Sequence, residues 1–329
     1  MKAVVLRSYG GTEVLTFENV PDPEPGPDEV LVAVRATALN RADLLQRMGA
    51  YPDPRRDLDF EIPGLEYSGT VRAVGRRVNR WKIGDEVMAI DAGGAYAELV
   101  CTHERQLMPV PTGVSLADAA AIPEVFLTAW DALVLQGGLT SGRWALVHAG
   151  ASGVGTAAIQ IAKAIGARIA VTCSSGKADS CRSLGADLVI ERSPYDWASD
   201  LQAAIPGGVD VILDVVGGDE IDRNLRVVAL KGSIVQVGLM GGASTTVNVG
   251  LIMAKRVRWI GTTLRARPLE EKAAVTQKFV AEMLPLFDSG RLRPIVDSRF
   301  DFDDIASAHD YMASNANTGK ILIDVGSSS

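Results

Sequence analysis

The spacing of apolar and polar positions changes character near Leu116. Before it the chain is a series of short period-two segments broken by Gly and Pro. Residues 30–38 (VLVAVRATA), after the loop PDPEPGPDE, read as a strand, and 69–75 (GTVRAVG) and 85–90 (DEVMAI) read as two more. Strands at this spacing predict a small β-barrel. The opening MKAVVLRSYGG has no apolar core of signal-peptide length and reads as a first strand. After Leu116 strands and helices alternate: strand 144–148, helix 154–165, strand 168–172, helix 177–184, strand 187–190, strand 209–213, helix 219–230 and strand 233–237. That alternation predicts an α/β unit with a parallel, doubly wound sheet. Residues 270–287 carry Ala273, Phe279, Val280, Met283, Leu284 and Phe287 at helical spacing. The tail from Arg299 returns to strand and short-helix texture, and the closing GSSS reads as disordered.

One turn in the second region carries chemistry. The strand 144–148 runs into Gly150, Gly153 and Gly155, after which Ala157, Ile159, Ile161, Ala162 and Ile165 recur at helical spacing. Strand, glycine turn and helix in that order make a dinucleotide-binding fingerprint, because glycine lets backbone N–H groups and a helix N-terminus approach a pyrophosphate. Gly150, Ser152, Gly153 and Val154 are the candidate contacts, Ser152 adding a hydroxyl donor. The plain alternative is an ordinary tight βα turn. A hydrolase elbow is excluded, since G-x-S-x-G requires glycine where Val154 stands. The next strand ends in Cys173-Ser174-Ser175-Gly176-Lys177, with no carboxylate before Asp179. An acidic residue there would hold a ribose 2′-hydroxyl and repel a 2′-phosphate. Ser174, Ser175 and Lys177 instead favour NADPH; the alternative for Lys177 is a solvated first residue of the next helix.

Composition narrows the class. The 329 residues suit two domains, and 47% hydrophobic with 22% charged residues is an ordinary globular balance. A net charge of −7 argues against nucleic acid as the main partner. No apolar run reaches membrane-spanning length. Three cysteines, Cys101, Cys173 and Cys181, form neither a metal spacing nor a disulfide framework, which points to a reducing cytoplasm.

Seven segments carry a family resemblance: ALNRADLLQRMGAYPDP (38–54), GLEYSGTVRAVG (64–75), WKIGDEVMAI (81–90), AAAIPEVFLTAW (119–130), VHAGASGVGTAAIQ (147–160), GLMGGA (238–243) and NTGKILID (317–324). In this order they resemble the medium-chain dehydrogenase/reductase superfamily over essentially the whole chain. Within it the sequence is similar to the zeta-crystallin-like quinone oxidoreductases, nearest their p53-inducible subgroup. The resemblance implies a GroES-like barrel domain from residues 1–120 and 268–329, a Rossmann domain from 121–267 inserted between them, and an active cleft between the two.

Zinc-dependent relatives carry a catalytic Cys where Asn40 stands and a His where Leu65 stands, and they add a four-Cys lobe that this chain lacks. Asp43 and Glu66 alone make a poor zinc site. The resemblance therefore implies a zinc-independent reductase in which hydride passes to an activated acceptor. Tyr51 matches the cleft tyrosine, able to donate to a carbonyl or stack on a flat ring; otherwise it packs its loop. Asn40 either hydrogen-bonds the nicotinamide ribose or the substrate carbonyl, or caps the helix starting at Arg41. Asp43 and Glu66 read as structural partners of nearby Arg or backbone N–H groups. Thr128 meets the nicotinamide side or bonds its own helix.

Val216 ends the strand VDVILDVVGG, and Gly238, Leu239, Met240 and Gly241 follow the strand SIVQVG at the carboxyl edge of the sheet, where ligands of open α/β folds bind. Leu264 and Arg265 follow the next strand, and Asn317, Gly319 and Lys320 would close over the nicotinamide end. Relatives place a Tyr where Glu191-Arg192 stand. Arg192 suits a bidentate phosphate contact, which Glu191 weakens if it points inward. Residues 245–264 contain a late strand with Val257, Trp259 and Ile260; by resemblance it lies at the sheet edge and pairs in a homodimer. Three functions remain open: an NADPH-dependent quinone oxidoreductase, a reductase of enones or enoyl thioesters, and a nucleotide-binding structural or RNA-associated protein.

Overall fold

The alternation of Val30, Val32, Val34 and Ala36 sends these four side chains into the interior of one long strand. The computed structural model describes residues 1–51, 53–55, 60–192 and 196–326; the end of the GSSS tail, 327–329, lies outside them. The described chain divides into a unit of 1–124 with 264–329 and a unit of 125–263.

The first unit opens with β1 (Lys2–Val5) paired antiparallel to β2 (Thr16–Asn19). There follow β3 (Glu29–Ala38), β4 (Glu66–Val74), β5 (Glu86–Ile90), β6 (Leu99–His103) and β7 (Leu107–Pro109). β3 pairs with β4 along one edge and with β6 over Glu29–Ala33 on the other. Val30, Val32, Val34, Tyr67, Val71, Val87, Ala89 and Leu107 form one core beneath this sheet.

The second unit is a six-stranded, fully parallel sheet: β8 (Trp144–Val147), β9 (Arg168–Cys173), β10 (Leu188–Glu191), β11 (Val209–Asp214), β12 (Val228–Gln236) and β13 (Arg258–Gly261). Their order is β10-β9-β8-β11-β12-β13. In units of the sheet this is 3-2-1-4-5-6, the doubly wound Rossmann order, whose direction reverses between β8 and β11. The expected helix 219–230 ends earlier, at Val227. Val228 already pairs with Val209, and Lys231 absorbs a register shift with φ +63°. Two short helices escaped the periodicity reading. Trp197–Ala204 buries Trp197, Ala198 and Leu201, and Val249–Lys255 precedes the edge strand.

The chain then re-enters the first unit through the helix Leu269–Asp288, which buries Ala273, Phe279, Met283, Leu284 and Phe287. It finishes with β14 (Val296–Asp301) and β15 (Lys320–Asp324). β15 joins β3 antiparallel over Ala36–Ala38, so the two ends of the chain share one sheet of seven strands. A second core, including Leu39, Leu44, Tyr96, Phe302, Ile305, Ile321 and Ile323, fills between this sheet and the helix Ile305–Ala313. Among the described residues no helix is long and apolar enough to cross a membrane.

Candidate functional site

The glycine turn after β8 has the sterics of a phosphate cradle. Ala149 takes a left-handed φ of +56°, and the Gly150 N–H donates to Thr172 O at 2.9 Å. A Cβ on Gly150 would stand 2.6 Å from the Val171 Cβ, and one on Gly155 would stand 2.4 Å from Ala149 O. Only glycine permits either approach. Ser152 caps the helix Gly153–Ala164, its Oγ accepting from the Gly155 N–H at 3.1 Å. That role uses a lone pair and keeps the hydroxyl proton as a donor for a ligand. The first turn, which includes Gly153 and Val154, holds no acidic residue, so the helix dipole is uncompensated there. These features fit a dinucleotide pyrophosphate.

Behind the turn lies a buried polar chain that sequence reasoning missed. Thr172, His148, Asn224 and Asp214 are all closed to solvent. The Asn224 Nδ2 donates to Asp214 Oδ2 at 2.8 Å, which turns Asn224 Oδ1 toward His148 Nε2, also at 2.8 Å. His148 therefore carries its proton on Nε2 and accepts from the Thr172 hydroxyl at Nδ1, 2.9 Å away. At the far end, Asp214 Oδ1 accepts the N–H groups of Val216 (2.6 Å) and Gly217 (2.9 Å). Gly217 and Gly218 take φ of +68° and +56°, and Val216 O accepts the Gly241 N–H at 2.7 Å. A Cβ on Gly238 would lie 2.8 Å from Val215 O. The loops bearing Val216 and Gly238–Gly241 are thus fastened together, with Leu239 and Met240 exposed at the tip.

At the end of β9, Ser174 and Ser175 are exposed and Lys177 is half-buried at a short 3₁₀ turn. The Arg192 backbone N–H donates to Cys173 O at 2.6 Å, and its guanidinium lies 3.8 Å from Glu220 Oε1. Glu191 is drawn instead toward Arg182, at 3.9 Å. Arg182, on the helix Ala178–Ser183, is a further cation here that sequence reasoning passed over, and it also pairs with Asp179 at 2.7 Å. Thr128 is half-buried on the helix Pro123–Trp130.

In the first unit three expected contacts take other roles. Lys320, expected to close over the cofactor, points inward. Its ammonium donates to Leu39 O (2.5 Å) and Asn40 Oδ1 (2.7 Å) and pairs with Glu66 Oε1 (2.7 Å), which uses all three of its N–H bonds. Asn40, expected to hydrogen-bond ribose or substrate or to cap the helix starting at Arg41, stands at that N-cap position and gives its two Nδ2 hydrogens to Glu66 Oε1 (2.9 Å) and Ala38 O (3.3 Å). The helix Arg41–Arg47 is secured from the other direction, by Asp43 Oδ2 accepting the Asn40 backbone N–H at 2.8 Å. Glu66 Oε2 takes the Glu124 N–H at 2.8 Å, in keeping with a structural role for that carboxylate.

Burial pushes the Asp43 carboxyl up to about 6, and the Tyr96 hydroxyl donates to it at 3.1 Å. The same hydroxyl lies 3.2 Å from His309 Nε2, and burial holds His309 down at about 3. This constellation does not fit zinc: the Lys320 ammonium already occupies Asn40 Oδ1 and Glu66 Oε1, the Glu124 N–H donates to Glu66 Oε2, and Leu65 offers no donor atom. Among the described residues no three His, Cys, Asp or Glu stand together to hold a metal ion.

Arg265, expected beside the cofactor, is buried in the first unit. Its Nε donates to Ala92 O (2.7 Å), Nη1 to Tyr51 O (3.0 Å) and Nη2 to Gln46 Oε1 (2.7 Å). The neighbouring Leu264 is half-buried. The half-buried Tyr51 ring lies over the guanidinium, 4.9 Å from centroid to Cζ, and burial raises its phenol above the ordinary value. Gly319 is required by its turn, with φ +86° and Ile295 O only 2.3 Å from where a Cβ would be; Asn317 Nδ2 donates to Gly319 O at 2.8 Å.

Comparison with known proteins adds to this geometry. Residues 26–112 match the family model described as alcohol dehydrogenase GroES-like domain, and residues 153–281 match that described as zinc-binding dehydrogenase. The chain is 35% identical to a quinone oxidoreductase of Pseudomonas aeruginosa, over 98% of this chain and 99% of that protein. It is 32% identical to a 2-methylene-furan-3-one reductase of Solanum lycopersicum, over 98% of this chain and 79% of that protein. Among solved structures it is similar to the quinone oxidoreductase of Pseudomonas syringae, with a TM-score of 0.89, 32% identity and coverage of 98% and 99% of the two chains.

Proposed function

We propose that this chain, which belongs to the medium-chain dehydrogenase/reductase superfamily of nicotinamide-dependent oxidoreductases and within it to the zeta-crystallin-like quinone oxidoreductases, reduces a quinone at the expense of NADPH without a metal. The observation that carries the reading is the Lys320 ammonium occupying Asn40 Oδ1 and Glu66 Oε1. A site arranged in this way has no Lewis acid with which to polarise an alcohol, whereas an activated acceptor needs only positioning and a hydrogen-bond donor. When bound, NADPH supplies the hydride.

The chain's own residues then bind and orient. Gly150, Ser152, Gly153 and Val154 hold the pyrophosphate against the helix N-terminus. Ser174, Ser175, Lys177 and Arg192 hold the 2′-phosphate, helped by the absence of a carboxylate from 174 to 178. The loops at Val216 and Gly238–Gly241, with Thr128, frame the nicotinamide end. Tyr51 stacks on the acceptor ring and donates its hydroxyl to the oxygen that gains charge.

Reduction of an enone is the second reading, favoured by the similarity to the 2-methylene-furan-3-one reductase. Oxidation of NADPH and NADH measured against a panel of quinones, enones and acyl thioesters tests both. Turnover confined to quinones supports the first reading, turnover confined to enones or thioesters supports the second, and no turnover with any acceptor overturns both.

A further inference from the structure

We infer that Arg265 is the positioning residue of Tyr51: its guanidinium fixes both the carbonyl and the ring of that tyrosine, so Tyr51 acts on an acceptor only while Arg265 is in place. This inference deepens the quinone-reductase reading above and rests on it.

The guanidinium is clamped. Nε is held by Ala92 O and Nη2 by Gln46 Oε1, each at 2.7 Å, while Asp53 Oδ2 supplies a counter-charge at 3.6 Å. Gln46 is itself anchored, its Nε2 donating to Glu61 Oε2 at 2.7 Å. Asp53 is braced in turn by Arg55 at 2.6 Å. Against this fixed plane the Tyr51 carbonyl accepts from Nη1 at 3.0 Å and the ring lies 4.9 Å away. The two contacts act on different parts of the residue. The hydrogen bond sets where the backbone turns after Ala50, and the cation–π contact sets which way the ring faces. A lysine cannot keep both together, because a point charge offers no planar fork with which to hold a carbonyl and underlie a ring at once. Arg265 is also the second residue after the chain returns from the nucleotide-binding unit, so the clamp ties the re-entry point to the 49–51 turn.

The test is a double-mutant cycle on quinone turnover with NADPH, combined with NADPH titration of each protein. Arg265→Lys should lower kcat about tenfold or more, since a ~1 Å misplacement can cost about a hundredfold, and leave the Kd for NADPH unchanged. In a Tyr51→Ala background the same change should cost nothing further. An unchanged kcat, losses that multiply, or a Kd that rises in step with the fall in kcat would each overturn the inference; the last would make Arg265 a cofactor contact. If Arg265→Lys does not fold, Gln46→Met must show the same Tyr51-dependent loss, and its failure to do so overturns the inference equally. If the parent protein turns over no quinone, the functional reading fails, and the clamp is read without substrate from a fluorotyrosine placed at position 51. A ¹⁹F resonance that moves on Arg265→Lys supports the clamp, and one that stays overturns it.

Discussion

Lys320 and Glu66 form an ion pair 2.7 Å long with side chains only 3% and 0% exposed. A buried pair of this kind is worth little against an apolar replacement of both partners, but removing one partner strands a charge away from water. Lys320→Met should therefore destabilise the protein by about 3–5 kcal/mol, and adding Glu66→Gln should recover part of that loss. Chemical denaturation measures both. Prolonged chelation, in the same series, should leave the parent's Tm and turnover unchanged. Stoichiometric zinc whose removal abolishes activity would contradict the reading.

NADPH should bind more tightly than NADH. A charge-assisted contact to the 2′-phosphate contributes about 1.5–3 kcal/mol, roughly tenfold to a hundredfold in affinity. Lys177→Ala should erode the preference and leave NADH binding as it was. Equal dissociation constants in the parent would remove the basis for the claim.

Tyr51 separates two roles by substitution. If its hydroxyl donates to the acceptor, Tyr51→Phe lowers kcat about tenfold or more with NADPH affinity nearly untouched. If stacking alone matters, Tyr51→Phe turns over normally and Tyr51→Ala does not. Full activity in Tyr51→Ala places the acceptor elsewhere.

The pH dependence of stability has opposing contributions at Tyr96. His309 is held at about 3 by burial, with the Arg47 charge acting in the same direction, so its contribution is complete above about 6.5 and is lost as the pH falls toward 3. Asp43 is raised to about 6, mainly by burial, so its contribution is complete below about 3.8 and is lost as the pH rises to 6. The two slopes offset each other between these limits. His309→Gln removes one of them: relative to the parent, the variant should gain about 2 kcal/mol on going from pH 7 to pH 5. Urea titrations at the two pH values measure this, and an unchanged difference would count against the assignment.

β13 ends the sheet, with Trp259 44% exposed on it and Met253 73% exposed on the preceding helix. An apolar edge of this kind favours pairing with a second copy. Light scattering at micromolar concentration should report a dimer for the parent and a monomer for Trp259→Asp.

The six parallel strands were legible because strands buried on both faces read as short apolar runs, as in ALV of β8 and VIL of β11. The glycine turn was legible because its requirement is steric and local. Side-chain direction was less so. Lys320 reads as a residue closing over the nicotinamide end, yet it opens a strand whose first four residues are all buried. Arg265 reads as part of the nucleotide-binding segment until its partners Ala92, Gln46 and Tyr51, more than 170 residues upstream, are known. The polar chain through His148 joins residues up to 76 apart in sequence. Its only local trace is a polar residue closing an apolar run, as in ALVH and VILD.

That chain also constrains how the sequence is free to drift. From Thr172 through His148 and Asn224 to Asp214, every donor faces an acceptor in one direction only. Changing Asn224 to Asp would set two carboxylates against each other, and changing His148 to Leu would leave the Asn224 Oδ1 without its donor and the Thr172 hydroxyl without its acceptor. Positions 148, 172, 214 and 224 therefore have to change together or not at all, and a relative that differs at one of them is expected to carry a matching difference at its neighbour in the chain.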